Sequence, residues 1–279
     1  MIDWWQHLLE HIDPIVFTVG FLSLRWYALS WLIGFFLSLL FAKRWLKEWG
    51  VSLKEEALFD LFLVLFLGAI VGGHLGYAFL YRPELLFLDP LGFFWPYDHE
   101  AGAWTGIAGM SFHGGVIGVA FALFLFAKRY QQDFFRLADL VVFSAPVVLF
   151  LGRTGNFLNQ ELPGRVTEVF WGMYFPGMFP EGALRHPSTL YEALGEGIAL
   201  LLFLFLTRRF LRIPGQLASF FLIGYGVIRF SLEYFREPDP GVALLFTLTR
   251  GQILSVFLVG FGVFLFVWLT RKNRGKIGV

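Results

Sequence analysis

The sequence predicts an all-α integral membrane protein of about seven transmembrane helices, and three observations carry that prediction. Charge is scarce: 57% of the 279 residues are hydrophobic and only 15% are charged, where a soluble domain carries roughly 25%. Mean hydropathy is +0.66. Apolar residues gather into seven segments, near 20–42, 57–80, 110–127, 137–158, 189–206, 216–235 and 251–270, each close to the ~20 residues that cross a bilayer. Basic residues occupy alternate connections: KRWLKEWGVSLK, KRYQQDFFR, TRRFLRIP and the tail RKNRGK hold 14 of the 22 Lys and Arg. The positive-inside rule places those four in the cytoplasm and closes the alternation without conflict.

The elements follow in order. The arm 1–19 has no basic start of the signal-peptide kind and carries Asp3, Glu10 and Asp13, so it is expected to be retained. Trp5, Leu8, Leu9 and Ile12 recur at helical spacing and predict a short interfacial helix. In the first span, LRWYALSW puts Arg25 and Tyr27 at the external end; Arg25 is expected to snorkel outward and Tyr27 to face a cavity. The loop 81–109 and the segment 159–188 fall outside. The latter mixes proline and glycine with Phe170, Trp171, Tyr174, Phe175 and Phe179, which predicts a small external head. No tandem repeat interrupts the chain, and a single polytopic domain over 1–279 is the economical reading.

Composition also excludes. A net charge of +1 gives no field for nucleic acid. Cysteine is absent, so disulfides and a cysteine nucleophile of the chain's own are excluded, and any thiol chemistry must involve a substrate's thiol. His, Asp and Glu show no ligand spacing such as H-E-x-x-H, so neither a metal nor an organic cofactor is expected.

The stretch GRTGNFLNQELPG closes the fourth apolar segment. Arg153 and Asn156, three apart, share a helix face, while Gly152 and Gly155 leave room for another backbone. A tightly packed helix pair would explain the glycines alone. The whole cluster points further, because an ionisable group at membrane depth marks a functional site or a paired charge. Glu161, just beyond, is expected to pair with an arginine or to hold the head in place. In GYGVIRFSLEYFRE, Tyr225, Arg229 and Glu233 stack at i, i+4 and i+8. An internal Arg229–Glu233 pair is the plain alternative; a guanidinium fork for a lipid phosphate is the functional one. His113, followed by Gly114 and Gly115, opens the third segment, where acid/base work near neutral pH competes with a packed core histidine. Asp139 reads as structural.

These motifs resemble those of the prolipoprotein diacylglyceryl transferases. LRWYALSW, SFHGGVIG, GRTGNFLNQELPG, RHPSTLYE and GYGVIRFSLEYFR are similar to family blocks in the same order, from the first span to the sixth. The resemblance implies seven spans and a periplasmic head in the bacterial inner membrane; the basic connections put the N-terminus on the periplasmic side and the C-terminus in the cytoplasm. It implies transfer of an sn-1,2-diacylglyceryl group from phosphatidylglycerol to the lipobox cysteine of a prolipoprotein signal peptide, releasing glycerol 1-phosphate. The family's important positions fall on Tyr27, His113, Arg153, Asn156, Glu161, Gly164, Tyr225, Arg229 and Glu233.

In this reading Arg153 and Arg229 hold the phosphate, His113 takes the thiol proton, and Tyr225 and Glu233 complete the catalytic set. Tyr27, Asn156, Glu161 and Gly164 bind substrate. A monomer is expected. His74, in IVGGHLGY, stands where family members carry arginine, which weakens any phosphate role there. The rival from another class is a transporter with an Arg/Glu-lined pathway, but the inverted repeats and interrupted spans of such proteins are not apparent.

Overall fold

A computed structural model describes residues 2–20, 22–81, 83, 97–98, 103–104, 110–237 and 248–274. The chain divides into two compact units, residues 1–45 with 138–279, and residues 46–137. Each of the seven predicted apolar segments contains a helix: α2 (Trp26–Trp45), α3 (Glu55–Tyr81), α4 (Phe112–Arg129), α5 (Phe134–Leu158), α6 (Ser188–Phe210), α7 (Gln216–Leu232) and α8 (Arg250–Lys272). Among the described residues, α2, α3, α5, α6 and α8 are long and apolar enough to cross a membrane. The 18-residue α4 and 17-residue α7 complete the series. The chain is a multi-pass membrane protein.

Burial in α2 shows how such a helix packs. Ser30, Gly34, Ser38 and Ala42 are buried at a strict four-residue spacing, while Leu32, Phe36, Leu37 and Leu40 are exposed. In hydrocarbon an exposed leucine costs nothing, so the interface goes to small side chains that let backbones approach.

In the smaller unit, α3 and α4 use the same device: a Cβ on Gly76 would lie 2.6 Å from the Gly114 Cα, and one on Gly72 would lie 2.7 Å from the Gly118 Cα. Ser111 caps α4 by accepting from the Gly114 N–H (3.3 Å), and its own N–H donates to the Gly73 carbonyl (2.8 Å).

The start of the chain differs from expectation. The segment near 20–42 was predicted to be helical throughout, yet Ile15–Val19 (β1) and Leu22–Arg25 (β2) pair as an antiparallel hairpin, and the helix begins only at Trp26. Its β-branched and alternating side chains favour the pleat. Gly20, at φ +62°, supplies the left-handed turn residue, and the Thr18 and Ser23 hydroxyls meet across the strands at 3.1 Å. The arm holds α1 (Ile2–Gln6) and a 3₁₀ turn, Leu8–His11, and it docks on protein. Leu9 is fully buried with Phe157, Met173 and Phe175, and the Trp5 indole donates to the Trp171 carbonyl (2.9 Å). A strand-like pair, β3 (Tyr97–Asp98) with β4 (Ala103–Trp104), completes the described elements.

Asp139, on α5, is buried and structural in its geometry. Its two oxygens accept from the backbone N–H of Gly215 (2.7 Å) and Ala218 (2.8 Å), giving the first turn of α7 a carboxylate cap in place of water.

Candidate active site

The C-terminal turns of α5 present two faces. On one, Gly152 and Gly155 admit α2: a Cβ on Gly155 would lie 2.8 Å from the Ser30 Cβ and 3.0 Å from the Tyr27 Cα. That approach lets the Asn159 Oδ1 accept from the Tyr27 N–H at the start of α2 (3.1 Å). Asn156 and Asn159 then grip the two oxygens of Glu161, at 2.9 and 3.0 Å. Glu161, expected to meet an arginine or hold the head, is held instead by these two amides. Gln160, at φ +61°, turns its amide onto the Leu9 and Ile12 carbonyls and so ties the arm to this end of α5. Tyr27 keeps its ring over a third exposed and edge-on to Trp31.

On the other face Arg153 meets α6. Gly197 brings α6 against α5 at Phe150, and Gly195 brings it against α7 at Ile228 and Leu232; added Cβ atoms would lie 2.5 Å from the Phe150 Cβ and 2.9 Å from the Ile228 and Leu232 side chains. Between them, residues 193–199 form a π-helical segment, a wider winding that is frequent at functional sites. It sets Glu192 and Glu196, both essentially without solvent exposure, on the side facing the arginines.

Arg153 Nη1 lies 2.9 Å from Glu192 Oε2, and its Nε donates to Glu196 Oε2 at 2.9 Å. Arg229, from α7, donates through Nη1 to Glu192 Oε1 at 2.8 Å, lies 3.9 Å from Glu196 through Nε, and meets Glu233 at 2.5 Å through Nη2. A third guanidinium, Arg236, stands 3.9 Å from Glu192. The two predicted arginines therefore converge from separate helices on one shared carboxylate.

Their states differ. Every nitrogen of Arg229 faces an acid, whereas Arg153 Nη2 has no partner among the described residues. Glu233 also accepts from the Thr249 hydroxyl (2.8 Å), which caps α8, so one acid fastens Arg229 to a helix N-terminus. Buried Tyr225 stacks on Phe221 and lies within electrostatic reach of Glu196 and Arg153.

Gly164 closes this region from the head. Its N–H donates to the His186 carbonyl (2.9 Å), it bridges to Arg236, and a Cβ there would strike His186 and the Phe235 carbonyl. Buried Arg185 donates to the Gly164 carbonyl (3.0 Å) and to Glu237 (3.2 Å), pinning the strand beside the cluster. Burial holds the His186 imidazole below the usual histidine range.

Tyr27, Arg153, Asn156, Glu161, Gly164, Tyr225, Arg229 and Glu233 thus lie in one compact unit, around the C-terminal ends of α5 and α7 and the start of α2. His113 belongs to the other unit, at the second residue of α4, and its side chain lies outside the described residues. Glu192, Glu196 and Arg236 carry no assigned role in the sequence reading. Two acids four residues apart inside an apolar run were the signal that marks the first two.

The prolipoprotein diacylglyceryl transferase family model matches residues 14–268. The chain belongs to the prolipoprotein diacylglyceryl transferase family. It is 44% identical over 273 residues to an enzyme of Pseudoalteromonas atlantica, covering 94% of this chain and 91% of that one. It is 41% identical over 276 residues to one of Wolinella succinogenes, covering 98% and 99%. With one of Chlorobaculum tepidum it shares 41% over 251 residues, covering 88% and 86%. All three relatives are named phosphatidylglycerol–prolipoprotein diacylglyceryl transferase. Family membership gives the transporter alternative no support.

Proposed function

We propose that the protein transfers the sn-1,2-diacylglyceryl group of phosphatidylglycerol to the lipobox cysteine thiol of a prolipoprotein, the first step of lipoprotein maturation. The observation that carries this reading is the meeting of Arg153 and Arg229 on Glu192 within a membrane-spanning bundle. The thiol sulfur bonds to the glyceryl carbon, and the bond from that carbon to the phosphate oxygen breaks. Glycerol 1-phosphate leaves with the electron pair, and the thiol proton passes to a base.

Arg153 receives the phosphate through its uncommitted nitrogen and offsets the charge that grows on the leaving oxygen. Arg229, held on three sides by acids, orients Glu192 and the positive end of the cluster. Glu233 positions Arg229. Tyr225, beside Arg153, and half-open Tyr27 contact the lipid's glycerol and ester oxygens, while Asn156, Glu161 and Gly164 shape the wall beneath them. His113 serves as the base, since the thiolate is the nucleophile. His113→Asn is expected to lower the rate strongly at neutral pH, and a kcat/KM pH profile unchanged from wild type would remove it from that role.

The topology that fits is cytoplasmic at the basic C-terminal ends of α2, α4, α6 and α8, which carry Lys43 and Arg44, Lys128 and Arg129, Arg208 and Arg209, and Arg271 and Lys272. The cluster then lies toward the periplasmic leaflet of the inner membrane, in one polytopic domain that acts as a monomer. The test gives purified protein phosphatidylglycerol and a lipobox peptide, with a cysteine-to-serine peptide as control. A thioether product of the expected mass from the cysteine peptide alone is the result anticipated; no product would reject the reaction.

A further inference from the structure

Among the described residues the ionic cluster is balanced: Arg153, Arg229 and Arg236 oppose Glu192, Glu196 and Glu233, and the carboxylates are 0–7% exposed. A phosphodiester arriving at Arg153 adds one negative charge. In a buried setting an uncompensated charge is costly, and a group that can change protonation does so instead.

The three acids are unequally placed to take that proton. Glu192 faces three guanidinium groups, at 2.9, 2.8 and 3.9 Å. Glu233 has Arg229 at 2.5 Å and the Thr249 hydroxyl at 2.8 Å. Glu192 Oε2 and Glu233 Oε2 lack an aligned hydrogen bond, yet each has a guanidinium nitrogen at close ionic distance. Glu196 Oε1 has neither: it is buried and, among the described residues, accepts no hydrogen bond and has its nearest cation, Arg229 Nε, 3.9 Å away. Phosphate binding also draws on Arg153, the closest cation to Glu196 among the described residues at 2.9 Å, and so weakens the pair that favours its ionised form. The charged and titratable groups facing Glu196 are Arg153 from α5, Glu192 from its own helix, and Arg229 and Tyr225 from α7.

We propose that binding of an anionic lipid phosphate draws one proton from solvent onto Glu196, so that headgroup capture is proton-coupled. This rests on the transferase reading of the same site. Protonated Glu196 also becomes a hydrogen-bond donor beside Arg153, and the pocket gains a neutral hydroxyl where it held a second anion. Because binding takes up a proton, affinity rises as pH falls and drops as pH rises.

The test is isothermal titration of the detergent-purified full chain with dihexanoyl phosphatidylglycerol, in buffers of different ionisation enthalpy. Wild type is expected to take up about one proton per lipid at neutral pH, with affinity falling by up to about tenfold per pH unit across the alkaline side. Glu196→Gln is expected to bind with no proton uptake and with a flat pH dependence, and Glu196→Asp to restore the uptake. Binding by wild type without proton uptake and with affinity constant from pH 6 to 9 would overturn the inference and leave the transferase reading standing. So would equal uptake by Glu196→Gln. Failure of the lipid to bind wild type at any pH would overturn the transferase reading, and this inference with it. If the Glu196→Gln protein does not accumulate, the wild-type pH series alone decides.

Discussion

Two buried charges on α5 have opposite fates. Toward the N-terminal end, Asp139 delivers both oxygens to backbone N–H groups at the head of α7. Toward the C-terminal end, Arg153 belongs to a network of six ionisable side chains and keeps one nitrogen unpartnered among the described residues. The first charge is answered by fixed dipoles that belong to the fold, so it can be read as a fastening. The second is answered by charges that shift with protonation and with a bound anion. A buried charge in a membrane bundle signals function when its partners leave something over.

The largest effect expected from breaking this contrast is at Arg153. Arg153→Ala should lower kcat/KM of the folded fraction by at least about 10²-fold, on the scale of losing one preorganised donor to a developing oxyanion. Arg153→Lys should recover little, because a point charge cannot span Glu192, Glu196 and a phosphate at once. Activity and membrane accumulation measured side by side check this.

Next comes the shared carboxylate. Glu192→Gln strips the common partner from three arginines, and breaking a buried pair by removing one member costs about 3–5 kcal/mol. The expected outcome is low accumulation and a depressed thermal midpoint, read from the melting of detergent-purified protein.

Asp139→Ala sharpens the comparison from the other side. Losing a helix cap costs about 0.5–2 kcal/mol, so the thermal midpoint should fall while kcat of the folded fraction is unchanged. A fall in kcat at constant stability would erase the distinction between the two ends of α5.

The sequence made much of this legible, and for physical reasons. Apolar runs of spanning length and basic connections marked the helices, because hydrocarbon admits little else. The three-residue spacing of Arg153 and Asn156 and the stripe of Tyr225, Arg229 and Glu233 could be read from helical periodicity. What escaped needed partners from other segments. Glu192 sits in the RHPSTLYE motif, but only the approach of α5 and α7 through Gly197 and Gly195 reveals that it joins both arginines. Glu161 was given to a cation or to the head, but its companions are Asn156 and Asn159, set by how the chain turns after α5. The β1–β2 hairpin straddles the end of the arm and the start of the first apolar segment, where the composition suits helix and strand alike.

The smallest effect expected is at His186. Its folded-state value is held below that of the unfolded chain by burial. The unfolded state therefore binds more protons as pH falls through about 6.5. The contribution is fully present above that pH and is lost on acidification, so thermal stability of wild type should decline below it. His186→Phe, which keeps the rings of Tyr191 and Phe235 covered, should flatten that part of the profile, as melting from pH 5 to 8 would reveal.

The most direct measurement is the affinity of dihexanoyl phosphatidylglycerol for Arg153→Ala beside Asp139→Ala, both purified and shown to be folded. Loss of about tenfold or more in binding for Arg153→Ala, with Asp139→Ala matching wild type, is the predicted result. Wild-type affinity in Arg153→Ala would contradict the assignment of the lipid phosphate to this guanidinium.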